Sequence, residues 1–362
     1  MSSDSSDTST PPATPPATPK PKVALSLIRA TGRTHLGNYL GATRSFAQLN
    51  AREDMRCFFG VATLHSLTTL SDPKALKRDI RGVVVDFIAA GVDPERSVIF
   101  DQTAIPETLQ LSWLLSCLTT AGRLERMHHW KEKKDKLAEL GQAANVGLFT
   151  YPILMAADIL GPAADIVPVG EDQLQHVEFA RDLALRFNHL YGNYFKVPTF
   201  LEREAVRVPG LSASGKMGKS EGDKATLYLG DSYDAQWKKV KVAPTDPARV
   251  RLEDPGNPDL CNIGGIHKVL DHLGLHEEGA MEWVRGGCTQ AQWGCAVCKK
   301  KALDVMEEGF LREIRDRRAE VVARGDGYID EVIRQGNERA RARIQPVVAG
   351  AMERMGLITR WV

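Results

Sequence analysis

Short apolar runs alternate with helix-period segments along the N-terminal two-thirds of the chain, and this alternation restricts the fold more than any other feature. Val23–Ile28 (VALSLI), Arg56–Thr68 (RCFFGVATLHSLT), Arg96–Pro106 (RSVIFDQTAIP) and Ala164–Val169 (ADIVPV) read as buried strands with no polar face. Helical patterns separate them. Tyr39–Leu49 is one, Pro73–Asp93 is an amphipathic helix closed by Gly91, and Gln173–Asn188 is a third. Strand, helix, strand in repetition implies an α/β fold with a Rossmann-type parallel sheet and its ligand site at the carboxyl ends of the strands. From about Ser232 the pattern turns all-helical. The expected domains are a tail over 1–22, a Rossmann-type domain over 23–231 and a helical domain over 232–362.

The tail, MSSDSSDTSTPPATPPATPKP, has no bulky apolar residue after Met1 and cannot build a core, so it reads as disordered. It lacks the apolar centre of a secretory leader and the arginines of a mitochondrial one; a chloroplast-type transit peptide stays open. Net charge is +1, so no global basic field advertises nucleic acid, and RNA binding would need local patches. No apolar run approaches the ~20 residues that span a bilayer, and no internal repeat is visible.

Three short stretches carry candidate chemistry. A glycine turn opening a helix offers backbone N–H groups and the positive end of a dipole to an anion. His35–Asn38 (HLGN) and Val169–Gln173 (VGEDQ) have this form. Most such turns merely reverse the chain, and Glu171 and Asp172 could equally compensate the helix dipole. Ser212–Gly222 (SASGKMGKSEG) is a flexible loop with two lysines three residues apart; alone it also fits a solvated, proteolysis-prone loop.

Together, in this order, the three stretches resemble the class I aminoacyl-tRNA synthetases. HLGN is similar to the family's HIGH-type signature and KMGKS to its KMSKS loop. GNYLGA, LERMHHWKEK, TYPILMAADIL and DIVPVGEDQLQHVEFARDLALRFN resemble the tryptophanyl-tRNA synthetases within it, from about Leu25 to the C-terminus. The resemblance implies that the amino-acid carboxylate attacks the α-phosphate of ATP and expels pyrophosphate, and that the product is then transferred to tRNA(Trp). Such chemistry rests on positioning and charge stabilisation more than on an acid or base. Implied catalytic residues are Lys216 and Lys219 on the loop and Lys131 on the opposite wall, although Lys131 is also readable as a solvent-facing helix charge. ATP is implied to meet Arg29, His35, Gly37, Asn38, Gly170, Asp172, Met217 and Ser220, with Mg²⁺ bound mainly through phosphate oxygens. Arg29 and Ala30 depart from the glutamine and proline frequent in the family. Gly218 stands where the family has serine between the lysines.

The resemblance also implies a tryptophan pocket of Leu25, Leu27, His65, Met155, Asp158, Val167, Val169 and Gln173. Indole has one N–H donor, so a buried acceptor such as Asp158 selects it, and Met155 would pack on the ring. Asp158 is otherwise readable as a capping or ion-paired residue. Leu25, Leu27 and Thr63 depart from the aromatic, glycine and aspartate frequent in the family, which predicts a reshaped pocket.

Six cysteines are present. Cys57 and Cys117 read as core thiols. Cys288, Cys295 and Cys298 form Cys-x6-Cys-x2-Cys, with Cys261 upstream. Four thiolates can hold an iron–sulfur cubane or one zinc ion, or stay unmetallated. Some family members carry a [4Fe–4S] cluster on such a pattern, which the resemblance extends to Cys261, Cys288, Cys295 and Cys298. Basic stretches at Lys238, Lys239, Lys241, Lys299–Lys301 and Arg312–Arg324 fit a tRNA surface, although such runs are usually solvated helix faces. The implied state is a cytoplasmic homodimer with no membrane contact. The alternative is a divergent paralogue with a regulatory or accessory role, suggested by Leu27, Thr63, Gly218 and the tail.

Overall fold

The computed structural model describes residues 20–69, 72–202, 206–212, 215–218 and 221–357. Its sheet has five parallel strands: β1 (Lys22–Ile28), β2 (Met55–Val61), β3 (Val98–Asp101), β4 (Ile166–Val169) and β5 (Thr199–Glu202), in the order β3-β2-β1-β4-β5. Cys57, Phe58, Phe59 and Val61 of β2 are all buried, because helices cover both faces; this is why the strand is uninterruptedly apolar. The run predicted as a strand to Thr68 stops at Val61 and turns into a helix. β5 went unpredicted because it is an edge strand with Phe200 and Leu201 exposed, and its TFLE carries no unbroken apolar run.

A single turn, α1 (Leu36–Asn38), a π-helical segment (Tyr39–Thr43) and α2 (Arg44–Asn50) join β1 to β2. Then come α3 (Thr63–Ser66), α4 (Pro73–Ala89), α5 (Pro106–Ser116), α6 (Ala121–Glu125), α7 (His128–Glu139), α8 (Val146–Leu160) and α9 (Leu174–Tyr191). The remaining helices are α10 (Tyr233–Val242), α11 (Asn262–His272), α12 (Ala280–Thr289), α13 (Cys295–Met306), α14 (Arg312–Ala323) and α15 (Asp326–Arg354). Their starts follow local chemistry. Asp72 accepts from the Lys74 amide ahead of Pro73, and Asn145 accepts from the Leu148 amide, each satisfying a donor the helix cannot.

Three cores result. One lies between the sheet and α5, α8 and α9; a second covers the other sheet face with α2 and α4; a third joins α10, α11 and α13 to α1. The all-helical C-terminal region is present, but the boundary expected at 231/232 does not separate the cores. Ala340, Ile344, Val348 and Ala351 of α15 belong to the first core, and Val321, Ile329 and Val332 to the second. The reason is close packing on β3. A Cβ on Gly336 would fall 1.7 Å from the Ile99 carbonyl oxygen, and the Asp101 amide donates to Asn337 Oδ1 at 2.8 Å.

The chain leaves β1 toward β2 and leaves β4 toward β5, so strand order reverses between β1 and β4. A crevice opens at the carboxyl ends of neighbouring strands at such a reversal.

Candidate active site

A cavity of about 890 Å³ occupies that crevice. Leu25, Leu27 and Arg29 enter it from β1, His65 from α3, Met155 and Asp158 from α8, Val167 and Val169 from β4, and Asp172 and Gln173 from the turn after it. Lys216 closes one side. These expected residues are therefore brought together. Leu27 fits where a small residue was expected because β2 carries Gly60: a Cβ there would stand 2.8 Å from Leu27 Cγ and from Phe100 Cζ. The Thr63 hydroxyl donates to Asp101 at 2.6 Å, so a carboxylate lies beside position 63, supplied by β3.

Asp158 is buried at the pocket floor. His65 Nε2 lies 2.9 Å from its Oδ2, and Gln102 Nε2 donates to both carboxylate oxygens at 2.8 Å. Gln102 escaped notice in the sequence because it sits in a turn predicted as part of a strand. On the other side, His129 Nδ1 lies 3.2 Å from the Tyr151 hydroxyl, which lies 2.8 Å from His176 Nε2. Burial, with help from His129 and Lys133, pushes the His176 imidazole down to about 3, and burial pushes the Tyr151 phenol up.

Lys131, expected at the phosphates, is exposed and lines a neighbouring cavity with Trp130 and Lys134. Two residues on, a little over half a turn of α7, Lys133 reaches the central cavity instead, with Nζ 5.1 Å from the Tyr151 ring centroid. Burial, followed by the Arg29 charge, holds its ammonium below the usual lysine range. Arg29, Lys133, Arg207 and Lys216 all line the cavity, interspersed with the carboxylates of Glu132, Glu171 and Asp172. Lys133 and Arg207, like Gln102, are residues the sequence reading missed; the doubled lysine of WKEK was the available signal for Lys133.

The HLGN turn does not line the cavity. His35 is buried and caps α1: its Nδ1 accepts from the Asn38 amide, and Asn38 Oδ1 accepts from the His35 amide, both at 3.3 Å. Gly37 faces the KMGKS loop, where a Cβ would stand 3.3 Å from the Met217 carbonyl oxygen. Gly170 caps the short 3₁₀ turn that carries Asp172 and Gln173. The lysine loop, expected to be mobile, is stapled where it is described. The Met217 amide donates to the Val208 carbonyl at 2.8 Å, Lys216 bridges Pro209, and Met217 is buried in the third core. Lys219 and Ser220 lie outside the described residues.

Cys261, Cys288, Cys295 and Cys298 line one cavity in the helical region. Burial, reinforced by the other three cysteines, pushes the Cys298 thiol up to about 12. Arg249 lies beside Cys288; its Nη2 donates to the Leu252 and Trp293 carbonyls, while its Nη1 is buried without an oxygen or nitrogen partner. Among the described residues, no group of three or more His, Cys, Asp or Glu is gathered tightly enough for one metal ion. Cys57 is a core thiol as expected, but Cys117 is exposed at the end of α5. The expected basic surface is also thinner than its sequence. Lys299 is buried and donates to the Lys241 and Ala243 carbonyls, Lys239 pairs with Asp231, and Arg315 and Arg318 pair with Glu307 and Asp86. No helix among the described residues is long and apolar enough to cross a membrane.

Comparison with known proteins points to one family. The family described as tRNA synthetases class I (W and Y) matches residues 19–310. A tryptophan--tRNA ligase of Deinococcus radiodurans is 39% identical over 91% of this chain and 97% of its own, and one of Thermotoga maritima is 38% identical over 88% and 94%. The crystal structure of tryptophanyl-tRNA synthetase from Campylobacter jejuni complexed with ADP and tryptophan superposes with a TM-score of 0.78 at 32% identity, over 92% of this chain and 100% of that one.

Proposed function

The chain belongs to the class I tRNA synthetases of the W and Y group, and from that premise we propose that it is a tryptophan--tRNA ligase. It joins L-tryptophan to ATP as tryptophanyl-adenylate, releases pyrophosphate and transfers the aminoacyl group to tRNA(Trp). The observation that carries the reading is Asp158, a buried acceptor beside Met155 in a cavity that is also lined by Arg29, Lys133, Arg207 and Lys216.

In this scheme indole enters over Met155 with its N–H on Asp158, and the tryptophan carboxylate points toward Arg29 and Lys133. A carboxylate oxygen attacks the α-phosphorus of ATP, the bond to the bridging oxygen breaks, and pyrophosphate leaves. Negative charge grows on the leaving and non-bridging oxygens, where Lys216, Lys219, Lys133 and Arg29 lower its energy. Mg²⁺ travels with the triphosphate through phosphate oxygens. The HLGN turn, with His35, Gly37 and Asn38, serves the ATP side, and Gly37 also packs against the Met217 carbonyl of the stem carrying Lys216. The adenosine side falls to Gly170 and Asp172, with Ser220 on the loop.

We assign the four cysteines a [4Fe–4S] cluster in preference to zinc. All four line one cavity, and four cysteine thiolates are the usual ligand set of such a cluster. Four thiolates could not share that buried space without cationic charge, and the unpaired Arg249 Nη1 is a donor suited to a cluster sulfur. The centre would tie the loop before α11 to α12 and α13. Leu109 and Trp113, one turn apart and exposed on α5, support a homodimer. Six unpaired cysteines and a tRNA substrate support a cytoplasmic site of action. Gly60 and Asp101 accommodate Leu27 and Thr63, which removes the main motive for a purely regulatory role.

Tryptophan-dependent exchange of pyrophosphate into ATP, followed by charging of tRNA(Trp), tests the proposal. Lys216→Ala should lower the exchange kcat on the order of 100- to 1,000-fold. Exchange that ignores added tryptophan rejects the function.

A further inference from the structure

Asp158 alone does not explain why indole would be preferred to a ring of the same shape without an N–H. A carboxylate on a short side chain turns readily about its last bond, so it could swing away from a mismatched ring toward water. Resting on the tryptophan reading of the cavity, we infer that Gln102 is a positioning residue that sets specificity by fixing the direction of the Asp158 lone pairs.

Gln102 is 1% exposed and stands behind Asp158, outside the residues that line the cavity. Its amide orientation follows from a neighbour. The Leu64 backbone N–H can only donate, and it meets Gln102 Oε1 at 3.0 Å. The NH₂ therefore faces Asp158 and reaches Oδ1 and Oδ2, both at 2.8 Å. His65 Nε2 adds a second contact to Oδ2 at 2.9 Å. Oδ2 is engaged by two side chains and Oδ1 by one, which leaves Oδ1 with the open lone pair for the indole N–H.

The Gln102 side chain cannot follow a rotating carboxylate, because its turn is anchored from three directions. The Asp101 carboxylate accepts from Thr63 at 2.6 Å, from the Thr103 hydroxyl at 2.8 Å and from the Thr103 amide at 3.1 Å. The Asp101 amide is held by Asn337 of α15. A ring lacking the N–H then leaves a fixed acceptor unpaired, which is the condition for strong rejection.

The test compares pyrophosphate exchange with tryptophan and with β-(3-benzothienyl)alanine, which keeps the bicyclic shape but has sulfur for N–H. Wild type should favour tryptophan in kcat/KM on the order of 1,000-fold or more. Gln102→Met, close in length, and Gln102→Asn, too short to span both oxygens, should each cut that preference at least about tenfold. The loss should appear in the KM for tryptophan, with the KM for ATP and the melting temperature near wild type. Either folded variant with an undiminished preference overturns the inference. So does an equal loss on both amino acids with a matching rise in the KM for ATP, which would make Gln102 a structural residue only. Wild-type enzyme showing no tryptophan-dependent exchange would instead reject the underlying function.

Discussion

Alanine in place of a helical glycine ordinarily stabilises a protein by about 1 kcal/mol. At Gly336 of α15 the sign should reverse. The new Cβ would fall 1.7 Å from the Ile99 carbonyl oxygen, 2.6 Å from its carbonyl carbon and 3.3 Å from its amide nitrogen. All three are backbone atoms of β3, which pairs with β2 and cannot yield as a side chain would. Unstrained contact needs roughly 3.5 Å, so α15 must retreat by nearly 2 Å. That retreat stretches the 2.8 Å bond from the Asp101 amide to Asn337 beyond hydrogen-bonding range, at about 1 kcal/mol. It also loosens the packing of Ala340 and Ile344, at about 3 kcal/mol. After the propensity gain is subtracted, Gly336→Ala should lose about 3 kcal/mol of unfolding free energy. Urea titration followed by circular dichroism measures this, with Gly327→Ala as the control because nothing lies within 4 Å of its Cβ position. If Gly336→Ala unfolds at the same urea concentration as wild type or higher, the seating of α15 on β3 is wrong.

Lys133→Ala should reduce the kcat of pyrophosphate exchange about 100-fold, while Lys131→Ala should stay within about threefold because its side chain lines a different cavity; steady-state kinetics with saturating tryptophan decides between them. The His176 imidazole titrates at about 3 in the folded protein, against about 6.5 in the unfolded chain. The unfolded chain thus takes up a proton that the folded protein refuses. The stability it contributes is complete above pH 6.5 and drains away toward pH 3, by about 1.4 kcal/mol per pH unit. The urea midpoint of His176→Gln should accordingly fall less steeply than wild type between pH 6 and 4. Cys295→Ser should abolish bound iron and sulfide in anaerobically purified protein, read by the visible spectrum and elemental analysis; retention of both iron and sulfide at wild-type ratios would remove Cys295 from the ligand set.

The strands were legible because burial on both faces leaves an unbroken apolar run, as in β2. The long helices were legible through their period. β5 was not: it lies at the sheet edge with Phe200 and Leu201 exposed, and TFLE lacks the unbroken apolar run that marks the equally short β3 and β4. The pocket side chains were legible as far as the resemblance supplied positions, and eleven of those positions, from Leu25 to Lys216, do meet in the cavity. Choosing between Lys131 and Lys133 required the helical phase of α7 relative to the crevice, which spacing alone does not supply. The capping role of His35 was not legible because it depends on the reciprocal geometry with Asn38. Gln102 and the seat of α15 depend on contacts between residues 56 and 237 positions apart in the chain, respectively to Asp158 and from Ile99 to Gly336. Local sequence holds no trace of either.

The stem of the lysine loop has a mechanical consequence. Pro209, which bridges Lys216, rests on α11: a Cβ on Gly265 would stand 2.7 Å from its ring. Asn262, at the start of α11, donates to the Gly210 carbonyl at 2.8 Å, and the residue capping that helix is Cys261. The stem of the lysine loop and the cysteine-lined cavity therefore share the first turn of α11 as a common footing, so a substitution in that turn touches both.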